Sequence, residues 1–592
     1  MTRYRMSGAV MTHPKRLEAA QRLADSAPPG ALRVVMDPDP AGKPSVLRTA
    51  LSAWSAIEDG ATHQLVVQDD MILSETFFER ARLAIEEMPD AALALFALWD
   101  SRNGAAVRFG AMAGARWVSA VNEYFPCVAI ILPRQVATGF VAYGRNRLDA
   151  WPDDILMYRY LRDNGIPAYV SVPSLAEHED HGSISGNAFR GPRRSVCFLP
   201  GDVPGREGAR LSGLKVLPFF KHGVAQCAVR QDGPGPSRWL HMDCEQYLEG
   251  IGVRSERLQP AIVQMAEVVP LSAAKGTWLT AFTMGFTQRR EAHRCAGPDG
   301  GAAPDAAVLA EALATVGPGG ISHAHTEDRI AELREELARI TRAGIEAGRE
   351  AAARPRPAKP PRPAGSRRIA VLGSATPLGE HLLRGLADRG HRVTALASAP
   401  RDPAPDRTAE PAYDAVLDLT GLHGGERDGS ARVTLRHPAR TTAAAGIRTL
   451  DVGDVYGPGC ARDSRIGRLV WAALRSQPLV IEESAGEVLR PLHVSDLADA
   501  LSAMARTPPP ESAVPATALA DGARCTVAEM AAAVRKAVRP VPVVGGAPPA
   551  AAPRPPAGPP PPDRRAPTDL VYGLHTYAQW LAYEGIRLAS DV

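Results

Sequence analysis

Lysine is scarce in this 592-residue chain, which has only seven lysines among its 68 basic residues. Cysteine is also rare: the seven cysteines are scattered and never spaced as CxxC, which excludes a zinc-ribbon or disulfide framework and favours a reducing, cytoplasmic location. No stretch approaches the roughly 20 apolar residues of a membrane span, and the first residues lack an apolar run of signal-peptide length. A net charge of +3 gives no reason to expect nucleic acid or an anionic membrane as partner.

Proline and glycine, by contrast, are abundant, at 53 residues each. The densest run, ARPRPAKPPRPAGSRR at 353–368, predicts a semi-rigid spacer that divides the chain. A second run, at 545–567, predicts a disordered loop before a final helix at 572–586. The sequence therefore predicts a first domain at 1–199, an unassigned segment of mixed α/β or helical structure at 200–323, a helix and linker at 324–366, and a last domain at 367–592.

The segment before the spacer has the pattern of an amphipathic helix, with Ile330, Leu333, Leu337 and Ile340 at 3-4-3 spacing. This apolar stripe predicts either a helix that packs on its own domain or a short dimer stalk. A homodimer is thus left open.

Residues 5–175 alternate apolar runs with helical patterns, which predicts an α/β fold with a largely parallel sheet covered by helices. One run, LVVQDD, predicts a buried strand that ends in Gln68, Asp69 and Asp70. Neighbouring carboxylates at the carboxyl end of such a strand favour a divalent cation, Mg²⁺ or Mn²⁺, bridging to substrate phosphates. The alternative is that the two acids begin a solvent-exposed turn.

Two later motifs carry further candidate groups. The sequence WPDDILMYRYL places Asp153 and Asp154 in the first turn of a predicted helix, where a carboxylate base could face an acceptor. The sequence PSLAEHEDHGS predicts a polar loop with His178 and His181, in which His178 is either an additional metal ligand or a hydrogen-bonded loop residue.

The ordered set of QDD at 68–70, WPDD at 151–154 and PSLAEHEDHGS at 173–183 resembles glycosyltransferases of the GT-A type. The resemblance implies a mixed sheet with helices, a nucleotide-sugar donor, an unknown acceptor and an inverting, metal-dependent transfer. It implies the following roles: Asp70 as metal ligand, Asp69 on metal or ribose, His178 on metal or pyrophosphate, Asp154 or Asp153 as base, and His13, Arg16 and Asp37 near the nucleotide. Gln68 stands where the family has an acid.

After the spacer, RRIAVLGSATPLGEHLLRGL predicts a strand, a glycine turn and a helix. Gly373 and Gly379 would let backbone amides approach a pyrophosphate, and Thr376 takes the place of the middle glycine. The second strand ends without an acid to hold a ribose 2′-hydroxyl.

The motifs DVGDVYGPG and LRPLHVSDLADAL resemble those of extended short-chain dehydrogenases, the NAD-dependent epimerase and dehydratase family. The resemblance implies a shortened Rossmann-like doubly wound domain, with Arg490 on a sugar nucleotide and with His493 and Asp496 near the substrate lobe. The family's Tyr-x-x-x-Lys pair has no counterpart, because no lysine lies between Lys359 and Lys536. We therefore expect a redox-inactive domain in which NAD(P) binding is doubtful.

Three hypotheses follow from these motifs. The first is a sugar-nucleotide-dependent glycosyltransferase with a degenerate epimerase-like domain. The second is an NAD(P)-dependent nucleotide-sugar epimerase or dehydratase. The third is a non-catalytic scaffold.

Overall fold

The computed structural model describes residues 4–42, 45–148, 152–179, 191–230, 239–253, 269–291, 303–354, 365–396, 413–425, 432–436, 447–481, 487–507, 517–518, 524–545 and 567–584. The chain forms two compact units, Met1–Arg356 and Pro357–Val592, which we call the first and second unit. Both are α/β, with helices around mixed sheets, as the sequence predicts.

The strands of the first unit are β1 (Met6–Thr12), β2 (Arg33–Met36), β3 (His63–Gln68), β4 (Met71–Leu73), β5 (Ala92–Ala94), β6 (Trp117–Ser119), β7 (Ala129–Pro133), β8 (Ala168–Ser171), β9 (Ala176–His178), β10 (Arg210–Leu211), β11 (Val216–Lys221), β12 (Val224–Arg230) and β13 (Trp239–Asp243). Its helices are α1 (Leu17–Ser26), α2 (Val46–Ser55), α3 (Phe77–Glu87), α4 (Arg102–Met112), α5 (Arg134–Arg145), α6 (Asp153–Asp163), α7 (Cys244–Gly250), α8 (Leu271–Arg290), α9 (Ala306–Ala314), α10 (Val316–Ile321) and α11 (Glu327–Ala353).

An eight-stranded sheet in the order β10-β6-β8-β5-β7-β3-β1-β2 forms the centre of the first unit. Strands β1, β2 and β3 are parallel, whereas β7 runs antiparallel to both β3 and β5. The prediction of a largely parallel sheet therefore holds for β1, β2 and β3 and for the pairs β5–β8 and β6–β10. The antiparallel strand β7 and the antiparallel pair β6–β8 make the sheet mixed, as the GT-A resemblance implies. Because β1 and β3 are parallel neighbours, their carboxyl ends lie side by side, and we call this side of the sheet the acidic edge.

A second sheet, β11-β12-β13, is antiparallel and shares an apolar core with the later helices of the first unit. Helix α11 begins after Thr326, whose side chain accepts a hydrogen bond from the N–H of Arg329. The four residues of its predicted apolar stripe are all buried in the same cluster as Trp278 and Phe282 of α8. This stripe is thus covered within its own unit.

The strands of the second unit are β14 (Arg368–Leu372), β15 (Arg392–Leu396), β16 (Ala415–Asp418), β17 (Arg432–Arg436), β18 (Ile447–Asp451), β19 (Asp454–Tyr456), β20 (Leu479–Val480), β21 (Val488–Leu489), β22 (Pro491–His493), β23 (Thr517–Ala518), β24 (Cys525–Thr526) and β25 (Val543–Val544). Its helices are α12 (Pro377–Asp388), α13 (Thr420–Gly425), α14 (Arg465–Leu474), α15 (Val494–Arg506), α16 (Val527–Ala537) and α17 (Leu570–Tyr583).

The main sheet of the second unit has the order β15-β14-β16-β17-β18-β23. Strands β14, β15 and β16 are parallel, as in a dinucleotide-binding fold, but β17 runs antiparallel between β16 and β18. The sheet is therefore mixed rather than uniformly doubly wound.

The predicted domain boundaries stay predictions, although two facts bear on them. Strand β10 pairs with β6, so the central sheet of the first unit extends past the boundary predicted at 199. The division between the two units falls inside the predicted linker at 324–366. Most of the spacer, nearly all of the predicted loop at 545–567, and His181 lie outside the described residues. None of the described helices has the length and apolar character that crossing a membrane requires.

Candidate active site

The QDD motif lies at the end of β3, where Asp69 and Asp70 are 9% and 5% exposed. The alternative of a solvent-exposed turn is therefore wrong. Two adjacent buried carboxylates repel each other and lose hydration, so the fold must supply positive charge or hydrogen-bond donors to hold them.

Two residues supply these groups: Thr12, the last residue of the neighbouring strand β1, and Arg16, in the turn that follows β1. Arg16 donates from Nη1 to Oδ1 of Asp69 at 3.1 Å and to Oδ2 of Asp70 at 2.8 Å. Thr12 donates from Oγ1 to Oδ2 of Asp69 at 2.5 Å. The sequence singled out Arg16 as a nucleotide contact, whereas it overlooked Thr12, whose only signal is its place as the last residue of β1.

The two carboxyl groups differ in acidity. Burial and the adjacent charge of Asp70 raise the pKa of Asp69, although Thr12 and Arg16 oppose that shift. Burial also disfavours ionisation of Asp70, but His178 and Arg16 outweigh it and lower the pKa of Asp70 to about 2. Asp70 is thus firmly ionised at neutral pH, as an oxygen ligand for a cation must be.

His178 does reach Asp70, but not from a loop. It is the last residue of β9, which pairs with β4 so that Met71 lies opposite His178. Its Nε2 lies 3.3 Å from Oδ2 of Asp70 and 2.8 Å from a terminal nitrogen of Arg193. Nε2 can donate to Asp70 or accept from Arg193 but not both, so the tautomer of His178 decides which bond forms. No pattern in the sequence pointed to Arg193.

The other two predicted nucleotide contacts lie near the acidic edge but have their own partners. His13 follows β1, and its Nδ1 accepts from the N–H of Lys15 at 3.2 Å. Asp37 follows β2 and accepts from Nε and Nη2 of Arg48, both at 2.8 Å. The hydrogen bond from Arg48 lowers the pKa of Asp37. A nucleotide here would meet the Asp37–Arg48 pair rather than a free carboxylate.

Asp153 and Asp154 form the first turn of α6, as the WPDD motif predicts. Asp153 is 7% exposed, and its burial together with the charge of Asp154 raises its pKa to about 7. A carboxylate with a pKa near neutrality is suited to accept a proton from a hydroxyl group.

The first turn of α6 is connected to the acidic edge through residues 125–128. Phe125 donates its backbone N–H to the carbonyl of Asp154 at 3.1 Å, and Gln68 donates its N–H to the carbonyl of Val128 at 2.8 Å. The charges of Asp153 and Asp154 also help to raise the pKa of the buried Cys127 thiol, although burial is the main cause. The structure thus brings the QDD and WPDD motifs to one side of the sheet.

A metal ion implied by the resemblance would meet one open ligand atom. Oδ1 of Asp70 is buried and has no hydrogen-bond partner in the described part of the chain. The described residues contain no group of three or more His, Cys, Asp or Glu side chains that could enclose a metal. A Mg²⁺ or Mn²⁺ ion at Asp70 would therefore have to take most of its ligands from substrate phosphates and water.

One further charged group that the sequence did not single out is linked to His178 through a series of contacts. Lys221, at the end of β11, lies 3.4 Å from a carboxylate oxygen of Asp100. Trp99, beside Asp100, donates its N–H to the carbonyl of Arg194, and Arg194 in turn donates to the carbonyl of His178. The scarcity of lysine was the one available signal for Lys221.

In the second unit, the glycine turn is present between β14 and α12. Gly373 has a φ of +74°, a backbone conformation that favours glycine. A Cβ on Gly379 would lie 2.5 Å from Cα of Ser374, so only glycine permits this close packing of helix and strand. These features match a pyrophosphate-binding turn.

The helix after that turn offers few free donors to an anion. Thr376 is its N-cap and accepts from the N–H of Gly379 at 3.1 Å, while Pro377 at the first helical position has no N–H. Leu378 is left as the donor among the first three residues of α12. Because Thr376 stands at the place of the middle glycine, its side chain caps the helix and takes up the N–H of Gly379, which could otherwise donate to a ligand.

Three further motif residues of the second unit have hydrogen-bond partners within that unit. Nδ1 of His493 accepts from the N–H of Ser495 at 3.3 Å, and burial lowers the pKa of His493 to about 3. Asp496 accepts from the N–H and the hydroxyl of Thr568 at 3.0 and 2.8 Å. Arg490 is half-buried, and its backbone N–H donates to Asp454 at 2.8 Å.

No family model and no curated protein matches the chain. Among solved structures, the NAD-dependent NDP-hexosamine 5,6-dehydratase TunA, involved in tunicamycin biosynthesis, matches at 17% identity over 38% of this chain and 100% of its own, with a TM-score of 0.27. MoeE5 in complex with UDP-glucose and NAD matches at 18% identity over 36% of this chain and 98% of its own, with a TM-score of 0.24. At these TM-scores neither structure assigns a family to the chain.

Proposed function

We propose that the first unit transfers a sugar from a nucleotide-sugar donor to an acceptor hydroxyl. The observation that carries this proposal is the position of two acidic pairs on one side of the sheet: the buried Asp69 and Asp70 beside Arg16, and the buried Asp153 with the half-buried Asp154 at the start of α6. Asp70 of the first pair is ionised and suits a diphosphate with its cation. The second pair contains a carboxyl group whose pKa of about 7 suits a base.

The reaction is a direct displacement with inversion of configuration. The Asp153–Asp154 pair takes the proton from the acceptor hydroxyl, and the acceptor oxygen forms a bond to the anomeric carbon as the bond from that carbon to the diphosphate oxygen breaks. In this reaction Arg16 would stabilise negative charge on the departing nucleoside diphosphate. A bound Mg²⁺ or Mn²⁺, held by Asp70, would supply further charge stabilisation. The products are a glycoside and a nucleoside diphosphate.

The test uses the full chain with Mn²⁺ and a panel of UDP- and GDP-sugars. Thermal unfolding reports binding, and release of nucleoside diphosphate reports donor hydrolysis or transfer. We expect a metal and nucleotide together to raise the melting temperature and Asp70→Asn to abolish this shift, with turnover lowered on the order of a hundredfold or more. The matched control is Asp25→Asn, which removes an exposed carboxylate on α1. Equal turnover and equal shifts in Asp70→Asn and the parent would refute the proposal.

A second candidate function rests on the glycine turn of the second unit, whose Gly373 and Gly379 suit a dinucleotide. It is an NAD(P)-dependent nucleotide-sugar epimerase or dehydratase, the alternative left open by the sequence. Stabilisation of the chain by NAD⁺ or NADP⁺ alone, together with hydride transfer from a nucleotide sugar seen as absorbance of the reduced nicotinamide, would favour it. The lack of a Tyr-x-x-x-Lys pair weighs against hydride transfer here.

A further inference from the structure

A cavity of about 480 Å³ lies in the first unit beside α6. Its walls come from α6, from the segment after β6, from residues 211–214 and from the strands β12 and β13, which contribute Arg230 and Trp239. Small-molecule sites have volumes of roughly 300–1,000 Å³, so the cavity has room for a small ligand.

This cavity begins close to the candidate base. Phe125 lines it and donates its backbone N–H to the carbonyl of Asp154. Tyr158 and Arg162 line it as well, and they follow Asp154 at intervals of four residues, so the three share one face of α6. A ligand in the cavity would therefore lie along the helix that presents Asp153 and Asp154.

The charge of the cavity wall is positive. Arg162 and Arg230 are among its lining residues, and none of the lining residues that the structure describes is Asp or Glu. Arg162 donates to Asp163 at 2.8 Å, outside the lining, and its guanidinium lies 5.5 Å from the centre of the Tyr158 ring. Arg230 is exposed and has no ion-pair partner among the described residues. Two guanidinium groups without a lining carboxylate favour an anionic ligand.

Much of the remaining lining is apolar and aromatic. Trp239 is 7% exposed, and Phe125 is buried. Leu161 and Leu214 complete this surface. Flat apolar walls beside guanidinium groups suit a molecule that has both a ring face and an acidic group.

We propose that the cavity binds the acceptor, and that the acceptor is an anionic molecule with a ring face, such as an acidic sugar or a carboxylated aromatic glycoside. This inference rests on the proposed transfer reaction, because it takes Asp153 and Asp154 as the base. Arg162 and Arg230 hold the acidic group, and Trp239 faces the ring.

Calorimetric titration of the full chain, without donor or metal, tests the inference with two matched probes. 4-Nitrophenyl β-D-glucuronide carries a carboxylate, and 4-nitrophenyl β-D-glucoside is its neutral counterpart. We expect the glucuronide to bind about tenfold more tightly, since a charge-assisted bond is about twice as strong as a neutral one. Arg162→Gln and Arg230→Gln should each remove most of this preference, and Arg230→Lys should restore part of it. Arg82→Gln, an exposed arginine on α3, is the control that should change nothing.

Equal affinity for the two probes, no binding of either, or a preference that persists in both arginine variants would overturn the inference. Melting temperatures of the variants separate a lost contact from a misfolded chain. Asp153→Asn should still bind the glucuronide, because it changes the base and leaves the cavity intact. Arginine-dependent binding in a chain that releases no nucleoside diphosphate from any donor would support the anion site and refute the proposed transfer.

Discussion

The acidic edge of the first unit and the motif residues of the second unit use polar side chains in different ways. At the acidic edge, Asp69 and Asp70 are buried against a charged arginine, and one oxygen of Asp70 has no partner in the described residues. In the second unit, Thr376, His493 and Asp496 accept from backbone N–H groups of their own unit.

This difference distinguishes residues of a candidate site from residues that stabilise the fold. A polar side chain that satisfies a backbone donor caps a helix or anchors a segment, and its contribution is to stability. A buried carboxylate that needs a cation costs stability when left alone, which is a reason to expect a function for it. Motif resemblance alone does not distinguish the two cases.

The largest effect should come from the base. We expect Asp153→Asn to lower the rate of transfer about 10²- to 10⁴-fold, because general-base catalysis contributes a factor of that size. The parent rate should fall as pH drops below about 7, where Asp153 becomes protonated, and the variant should lose this limb. The measurement is initial rate against pH, with Asp25→Asn, an exposed acid on α1, as control.

The pH dependence of the free energy of unfolding tests the burial of Asp153 independently of activity. The pKa of Asp153 is raised in the folded chain from 3.8 to about 7. Its protonated form therefore contributes stability that is fully present below the unfolded pKa and is lost as pH rises through about 7. Relative to the parent, Asp153→Asn should become more stable as pH rises across this window, measured by denaturant unfolding at each pH. A pH-independent difference between the two proteins would contradict burial of an ionisable Asp153.

A smaller effect is expected at the glycine turn of the second unit, where a substitution should lower stability and leave transfer activity unchanged. Gly379→Ala places a Cβ 2.5 Å from Cα of Ser374, so we expect a loss of about 1–3 kcal/mol in the free energy of unfolding. Gly250→Ala, at the end of α7, has no atom within 4 Å of its new Cβ and is the control. Denaturant unfolding of the full chain measures both. Transfer activity unchanged in Gly379→Ala would sharpen the contrast between the units, whereas a large loss of activity would remove it.

The smallest effect should come from Asp496. Asp496→Asn weakens the two hydrogen bonds from Thr568, and we expect a cost of about 1 kcal/mol with no change in transfer rate. Asp499→Asn on the same helix breaks a surface pair with Arg389 and should cost less than about 0.5 kcal/mol. Hydrogen exchange in α15 reports both, and equal protection in the two variants would argue against an anchoring role for Asp496.

Much of the fold could be predicted from local patterns. The strand before Asp69, the helix that opens with Asp153 and the amphipathic helix before the spacer follow from apolar periodicity, because burial of one face dictates the spacing. Strand β9 was mistaken for a loop, since its partner β4 is distant in sequence and three residues are too few for a periodic signal. The antiparallel direction of β7 was missed because its partners are likewise distant in sequence.

The candidate site divides in the same way. Asp70 and Asp153 could be chosen because acids after a strand or at a helix start are visible in sequence. Arg193 and Lys221 could not, since a lone cation outside any motif has no pattern that indicates its partner. His178 was chosen for the right residue type but placed on the wrong element.

The sequence by itself determined the α/β class, the acids available for a site and the loss of the Tyr-x-x-x-Lys pair, because composition, periodicity and absence are properties of the chain alone. Only the tertiary structure decided that Arg16 donates hydrogen bonds to both Asp69 and Asp70 and that the two acidic pairs share one side of the sheet. It also decided that Thr376 caps the N-terminus of the helix that follows the glycine turn. These outcomes depend on which strands become neighbours, and strand pairing is set by the packing of residues that are far apart in sequence.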